Sequence, residues 1–395
     1  MLGRQADNQA DGGTMDFELN EEQRQLSDSL ERLLTQQYDI EQRKAIIRSQ
    51  GSFSPAIWSK LADLGILSLP VSEAAGGFGG GAVDLMRPMG LAGQALLLEP
   101  LVEHLAASRL LDRALAADSA ASGRETGSGL LQQAMAGEAR LAWVRSMDGG
   151  DANACRAERS GDGWRLDGRL ASVPGADGAA QLLVATGSGS DAGLFIVATS
   201  TPSVTLRPGS ALDNRRIADV DFASVQLPAS QCIANGPSAA AAIEDAADFG
   251  SALLCAEAAG LIDYACQATL EYLKTRKQFG VPIGSFQALQ HRIVDLFVDL
   301  EQVRSMAALA CSKCDAAAAG QISTTERTKA VAAARVLVGK AATKVAQESV
   351  QLHGGMGMAE EMKISHAFRR LTVLGRQFGT VDYFLDRFIA ADQSL

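Results

Sequence analysis

A chain of 395 residues with 47% hydrophobic and 21% charged side chains is long enough for two or three domains and apolar enough for a large core. Its 46 acidic residues outnumber 36 basic ones, and the net charge of −10 excludes the electrostatic footprint of a nucleic-acid binder or of a polybasic membrane anchor. Small molecules and other proteins remain as partners.

The opening stretch MLGRQADNQADGGT, residues 1–14, has no apolar centre and is expected to be a disordered extension ahead of Met15, not a signal peptide. From there helical spacing sets in. Asn20 stands as an N-cap with Gln23 three residues on, and Leu26, Leu30, Leu33 and Leu34 share one face. Trp58, Leu61 and Leu64 repeat the spacing until Gly65 stops it. GGFGGG at 76–81 has no strand before it and no Gly-Lys-Ser/Thr after it, so it reads as a glycine turn between helices and not as a phosphate loop.

Short β-type runs follow. Gly163-Trp164-Arg165-Leu166-Asp167-Gly168 carries hairpin signals, Gln181–Thr186 and Leu194–Thr199 are apolar strands, and Val220–Leu227 alternates before Pro228. Helical periodicity returns near Ser238, with alanine-rich segments and Val331, Val338 and Val345 at seven-residue spacing, as in a bundle packed through small residues. The expected division is 15–125 helical, 126–237 a small β-barrel or sandwich, and 238–395 a helical bundle: an α+β multidomain chain.

No stretch reaches the ~20 consecutive apolar residues of a membrane span. The cysteines at 155, 232, 255, 266, 311 and 314 lack histidines at zinc spacing, and Cys311 and Cys314 fall at i and i+3 of one helix, so all read as free thiols of a cytoplasmic protein. No serine sits in a nucleophile-elbow context. Of the histidines, His353 lies inside a glycine motif where it could touch a cofactor oxygen, while His104, His291 and His366 read as surface or packing residues.

Six phrases in order carry a family resemblance: LNEEQRQL, WSKLADLGILSLPVSEAAGGFGGG, GDGWRLDG, RIADVDFASVQLP, RKQFG at 276–280 and QLHGGMG at 351–357. From about Met15 to the C-terminus the chain resembles the acyl-CoA dehydrogenases, and the tail HAFRRLTVLGRQFGT is similar to the small subunits of two-component members such as pimeloyl-CoA dehydrogenase. The resemblance implies the family's fold of an N-terminal helical domain, a middle β-domain and a C-terminal four-helix bundle. It also implies FAD as cofactor, an acyl-CoA substrate undergoing α,β-desaturation, and an electron-transfer flavoprotein as acceptor.

By that resemblance Arg276, Phe279, Gln287, Gln351, Gly354, Gly355 and Thr380 contact the cofactor. The first six serve the flavin of a neighbouring subunit. Their chemistry agrees: a permanently charged planar donor suits diphosphate, and bare glycine backbone admits phosphate and ribose, with Gly357 completing the motif.

Two other requirements are broken. Where the family places a Thr-Glu-Pro phrase against its own isoalloxazine, this chain has Trp143-Val144-Arg145-Ser146, and where it has Trp-Ile-Thr, Ser172-Val173-Pro174. Pro174 has neither hydroxyl nor backbone donor. The family's catalytic glutamate falls on Phe378 and its alternative on Gly250, neither of which accepts a proton. Asp382 takes the place of a cofactor-facing glutamine, where an anion repels diphosphate. The small residues Ser172 and Gly250 are compatible with a roomy cleft.

Three readings stay open. The chain is the non-catalytic subunit of a heterotetrameric acyl-CoA dehydrogenase, completing the FAD site of a partner that bears the glutamate. Alternatively it is a homomeric dehydrogenase whose base is displaced to Glu244, Asp245, Asp248 or Glu257, or a non-redox scaffold that binds an acyl-CoA or a protein.

Overall fold

The computed structural model describes residues 20–49, 51–117, 122–145 and 155–393. The expected extension at 1–14, Met15 and Ser146 lie outside them. Six helices come first: α1 (Glu21–Gln37), α2 (Ile40–Arg48), α3 (Pro55–Asp63), α4 (Ala82–Ala95), α5 (Leu101–Ala117) and α6 (Arg124–Met135). Asn20 caps α1 as its sequence requires, accepting the Gln23 N–H at 2.8 Å while Gln23 returns a bond to the Asn20 N–H. Leu30, Leu33 and Leu34 are buried beneath it. Gly65 stops the turn after α3 in the left-handed region, at φ +77°. Helix α6 carries the helical section to Met135, past residue 126 where β-structure was expected to begin, because Leu130, Leu131 and Ala134 pack into the helical core.

The middle section is a sandwich of two four-stranded sheets. One has the order β1 (Leu141–Val144), β4 (Gln181–Thr186), β5 (Gly193–Ala198), β8 (Cys232–Asn235); the other has β2 (Arg156–Ser160), β3 (Gly163–Pro174), β7 (Arg216–Leu227), β6 (Val204–Ser210). Among the described residues only the β1–β4 pair is parallel. Leu166, Val184, Phe195, Val197, Val220 and Val225 fill the space between the sheets.

The C-terminal section holds the long helices α7 (Gly236–Thr275), α8 (Gln287–Ala318) and α9 (Thr324–His353), then α10 (Lys363–Leu374) and α11 (Val381–Asp392); β9 (Lys277–Gln278) and β10 (Val281–Pro282) form a hairpin between α7 and α8. Val331, Val338 and Val345 are fully buried, the seam their spacing predicts. Small residues set the close crossing of α4 and α7: a Cβ on Gly260 would lie 2.0 Å from the Gly90 carbonyl oxygen, and one on Gly93 2.2 Å from that of Glu257. Helix α7 alone among the described residues is long and apolar enough to cross a membrane, and 78% of its most apolar window is buried inside the protein.

A buried charge network ties the three sections together. Arg370 on α10 donates to both carboxylate oxygens of Glu257 on α7 at 2.7 Å and to Asp213 at 3.1 Å. Arg215 reaches the same Glu257 at 3.1 Å, and Gln377 bonds Glu103 of α5. With Asp213 and Arg215 in the loop between β6 and β7, the sandwich is pinned to both helical layers.

Candidate functional site

Gly250 and Phe378, the two positions at which a base is missing, face one another. A Cβ on Gly250 would lie 2.5 Å from Phe378 Cε2 and 3.1 Å from Ala106 Cβ. Phe378 adopts φ +61°, unfavourable for a side-chain-bearing residue, and its ring is buried, with the Trp143 ring at 6.1 Å. The space that either carboxylate would occupy is filled by hydrocarbon. The roomy cleft expected from Gly250 is therefore not there: the missing side chain is the room that Phe378 takes.

Beside this plug, Arg145 at the end of β1 lies over the Trp143 ring at 4.9 Å, and its Nη2 stands 3.5 Å from the Tyr383 hydroxyl. Its Nη1 and the Trp143 indole N–H are buried without hydrogen-bond partners. Desolvation pulls the Arg145 guanidinium below its ordinary pKa. On β3, Ser172 has φ +55° and spends its N–H on Asp219 Oδ1 at 2.9 Å, and Pro174 is paired in the ladder opposite Ile217. Pro174 has no donor to give a flavin ring, and the Ser172 N–H is already spent.

The four alternative carboxylates are all bound by arginines. Asp245 is held by Arg109 at 2.7 Å and Arg327 at 3.1 Å, Asp248 by Arg327 at 2.9 Å and Arg387 at 3.1 Å, and Glu244 by Arg387 at 2.6 Å. Burial works to raise Glu257, but Arg370 and Arg215 outweigh it and hold the group below the carboxylate range. Burial likewise raises Asp245, and Arg109 and Arg327 reverse it. A carboxylate neutralised in this way is a poor proton acceptor.

The residues expected to serve a neighbour are arranged quite differently. Helix α7 ends at Thr275, Arg276 is its C-cap, and RKQFG continues as a hairpin. Phe279 and Gly280, at φ +54° and +82°, make its two-residue loop. The loop presents Phe279 at 91% exposure, edge-on to Phe286 at 6.2 Å. Arg276 and Gln287 are also exposed, and among the described residues Arg276 has no ion pair. Helix α9 ends at His353, after which Gly354 turns at φ +60°; Gly354 and Gly355 stand exposed beside Gln351 with open space before them.

Tyr272 and His353 hold the two motifs side by side, stacked with ring centroids 4.4 Å apart. His353 Nδ1 lies 2.8 Å from the Ser349 carbonyl and burial lowers its pKa, so it is a neutral prop under the glycine turn. A charged fork without a counter-ion, bare backbone and a flat aromatic, all facing outward, fit the diphosphate and adenosine of a dinucleotide.

Thr380 does not join them. Its hydroxyl caps α11 by accepting the Tyr383 N–H at 3.2 Å, next to exposed Asp382, and Val381 packs on Gly339 of α9. About 20 Å of helix separates Gly339 from His353 at 1.5 Å per residue. Thr380 belongs with the Phe378 plug. His104 is a buried packing residue, T-shaped to Trp58 and bonded by the Leu141 N–H, and His366 is buried against Arg43. His291 is exposed.

Residues 20–95 match the model of the acyl-CoA dehydrogenase N-terminal domain and residues 240–391 that of the C-terminal domain. The chain belongs to the acyl-CoA dehydrogenase family. It is 26% identical to the probable acyl-CoA dehydrogenase YngJ of Bacillus subtilis, over 96% of this chain and all of that one. To the acyl-CoA dehydrogenase IpdE2 of Mycobacterium tuberculosis it is 39% identical, over 31% of this chain and 35% of that one. The structure of a variant of the Tcur3481-Tcur3483 steroid ACAD superposes with a TM-score of 0.82 at 27% identity, covering 95% of this chain and 98% of that one. Acyl-CoA dehydrogenases are FAD-dependent oxidoreductases, and the fold and motif order described above are theirs.

Proposed function

We propose that this chain is the base-lacking subunit of a heteromeric, FAD-dependent acyl-CoA dehydrogenase, and that its exposed edge completes the cofactor site of a glutamate-bearing partner. The observation that carries this reading is the contact of Phe378 with Gly250, which removes both proton acceptors while the outward-facing Arg276, Phe279 and Gly355 remain intact. A similar solved structure carries a name that joins two components, Tcur3481-Tcur3483.

When bound, FAD would supply the acceptor for the β-hydride of an acyl-CoA thioester. In this assembly Arg276 neutralises diphosphate charge, Phe279 covers the cofactor with an apolar face, Gln287 and Gln351 supply hydrogen bonds, and Gly354 and Gly355 let phosphate approach the backbone. The partner's carboxylate removes the α-proton. A heterotetramer with an electron-transfer flavoprotein as acceptor is the corresponding assembly.

The test is purification of the chain alone and with its partner, followed by flavin content and thioester oxidation. The reading requires FAD and turnover in the pair and neither in the lone chain. Oxidation by the lone chain at the rate of the pair contradicts it, and a pair that binds thioester without any flavin points to the scaffold reading instead.

A further inference from the structure

A cleft of about 530 Å³ opens on the face formed by α1, α4, α7 and the start of α10, away from the Phe378 plug and the Arg276 edge. Leu34, Tyr38 and Leu91 give it apolar walls, and Lys363 projects into it, half-buried, with Nζ 4.3 Å from the centroid of the Tyr264 ring. Among the described residues Lys363 has no hydrogen bond or ion pair through its side chain. The carboxylates lining the cleft are engaged elsewhere: Glu31 with Arg87, Asp263 with Arg304, and Asp39 as the cap of α2. Behind Lys363 lies Arg43, whose guanidinium bonds only neutral acceptors, the carbonyls of Leu96 and Asp213 and the His366 ring. The Asp213 carboxylate favours its charged form from a distance while hydrogen-bonding Arg370 instead.

We infer that Lys363 is a nucleophilic acylation site whose donor is a thioester of the acyl-CoA class. The amine lone pair attacks the thioester carbonyl, the C–N bond forms as the C–S bond breaks, and the departing thiolate takes the ammonium proton to leave an amide and a free CoA thiol. Leu34, Tyr38 and Leu91 offer the acyl chain an apolar side, while Thr35, Gln94 and Gln267 keep the rest of the cleft polar. Burial first and Arg43 second lower the amine to about 8, so the reactive free base is present near neutral pH. Tyr264, raised by burial to about 12, stays a neutral phenol throughout. The choice of an acyl-CoA donor rests on the proposed function, but the site's reactivity does not.

The experiment incubates the full chain with acetyl-CoA at pH 7.5 and, separately, with a trace of acetic anhydride, and reads modification of each lysine by peptide mass spectrometry. With both reagents Lys363 is expected to be modified about 10-fold faster than Lys277 on the exposed hairpin, and Lys363→Arg removes one modification without adding another. Labelling by anhydride but not by acetyl-CoA overturns the thioester donor; equal or slower labelling of Lys363 by both overturns the site. Neither readout needs flavin or a partner, so failure of the proposed function leaves the result interpretable.

Discussion

Gly250 and Phe378, 128 positions apart in sequence, share one volume: the ring edge of Phe378 stands where a Gly250 side chain would begin, at 2.5 Å. Both are positions where a dehydrogenase of this fold would carry its base, so one contact accounts for two absences. Adding a methyl group at Gly250 overpacks the site by about 1–3 kcal/mol. Trimming Phe378 to alanine relieves it. Urea denaturation of Gly250→Ala, Phe378→Ala and the double variant is expected to show strong positive coupling, and additive losses would mean that the two do not share the space.

Glu257 is a structural anion, not a displaced base. Removing its charge leaves Arg370 and Arg215 buried without their carboxylate, and the loss of one partner of such a set costs about 3–5 kcal/mol. Glu257→Gln is therefore expected to lower the melting temperature steeply, with cofactor binding lost only as the fold is lost. A variant that melts normally yet abolishes thioester oxidation by the pair would return Glu257 to catalysis.

His104 gives the fold a distinct acid sensitivity. Burial lowers its pKa from 6.5 to about 4, so the folded chain keeps the ring neutral while the unfolded chain protonates it. The contribution is whole above pH 6.5 and is lost as pH falls toward 4, at about 1.4 kcal/mol per pH unit. Melting curves between pH 7 and 4.5 are expected to show this slope. In His104→Gln, which retains a side-chain acceptor for the Leu141 N–H, the slope should flatten; an unchanged slope assigns it to other groups.

On the proposed function, Phe279 is a surface residue whose role lies in the assembly. At 91% exposure it contributes little to the isolated fold, and Phe279→Ser should shift stability by no more than ~0.5 kcal/mol. Flavin retention by the pair should nevertheless fall. Thermal melts of the lone chain and flavin absorbance of the complex separate the two effects, and a large loss in the lone chain would make Phe279 a folding residue.

Local signals were legible in the sequence because they act over a few residues. The Asn20–Gln23 capping box, the Val331, Val338 and Val345 seam and the strand at Gln181–Thr186 all stand where spacing places them. What spacing could not show was pairing at a distance. Arg370 lies 113 residues from Glu257, so the sequence offered Glu257 as a candidate base when its charge was already spent. Nor could spacing show that positive φ at Phe279 as well as Gly280 turns RKQFG into a hairpin that lifts the ring into solvent. Arg145 registered only as a departure from Thr-Glu-Pro; its stacking on Trp143 depends on the strand that carries both. Order along the chain also does not reveal that α9 separates Thr380 from the glycine turn.

The central claim is that Arg276 of this chain serves a flavin held by its partner. The most direct measurement is flavin content of the co-purified pair carrying Arg276→Ala in this chain alone, with the partner unchanged. The account predicts an assembled complex of normal melting behaviour that has lost most of its FAD and its thioester oxidation. Full flavin occupancy and undiminished turnover in that complex would contradict it.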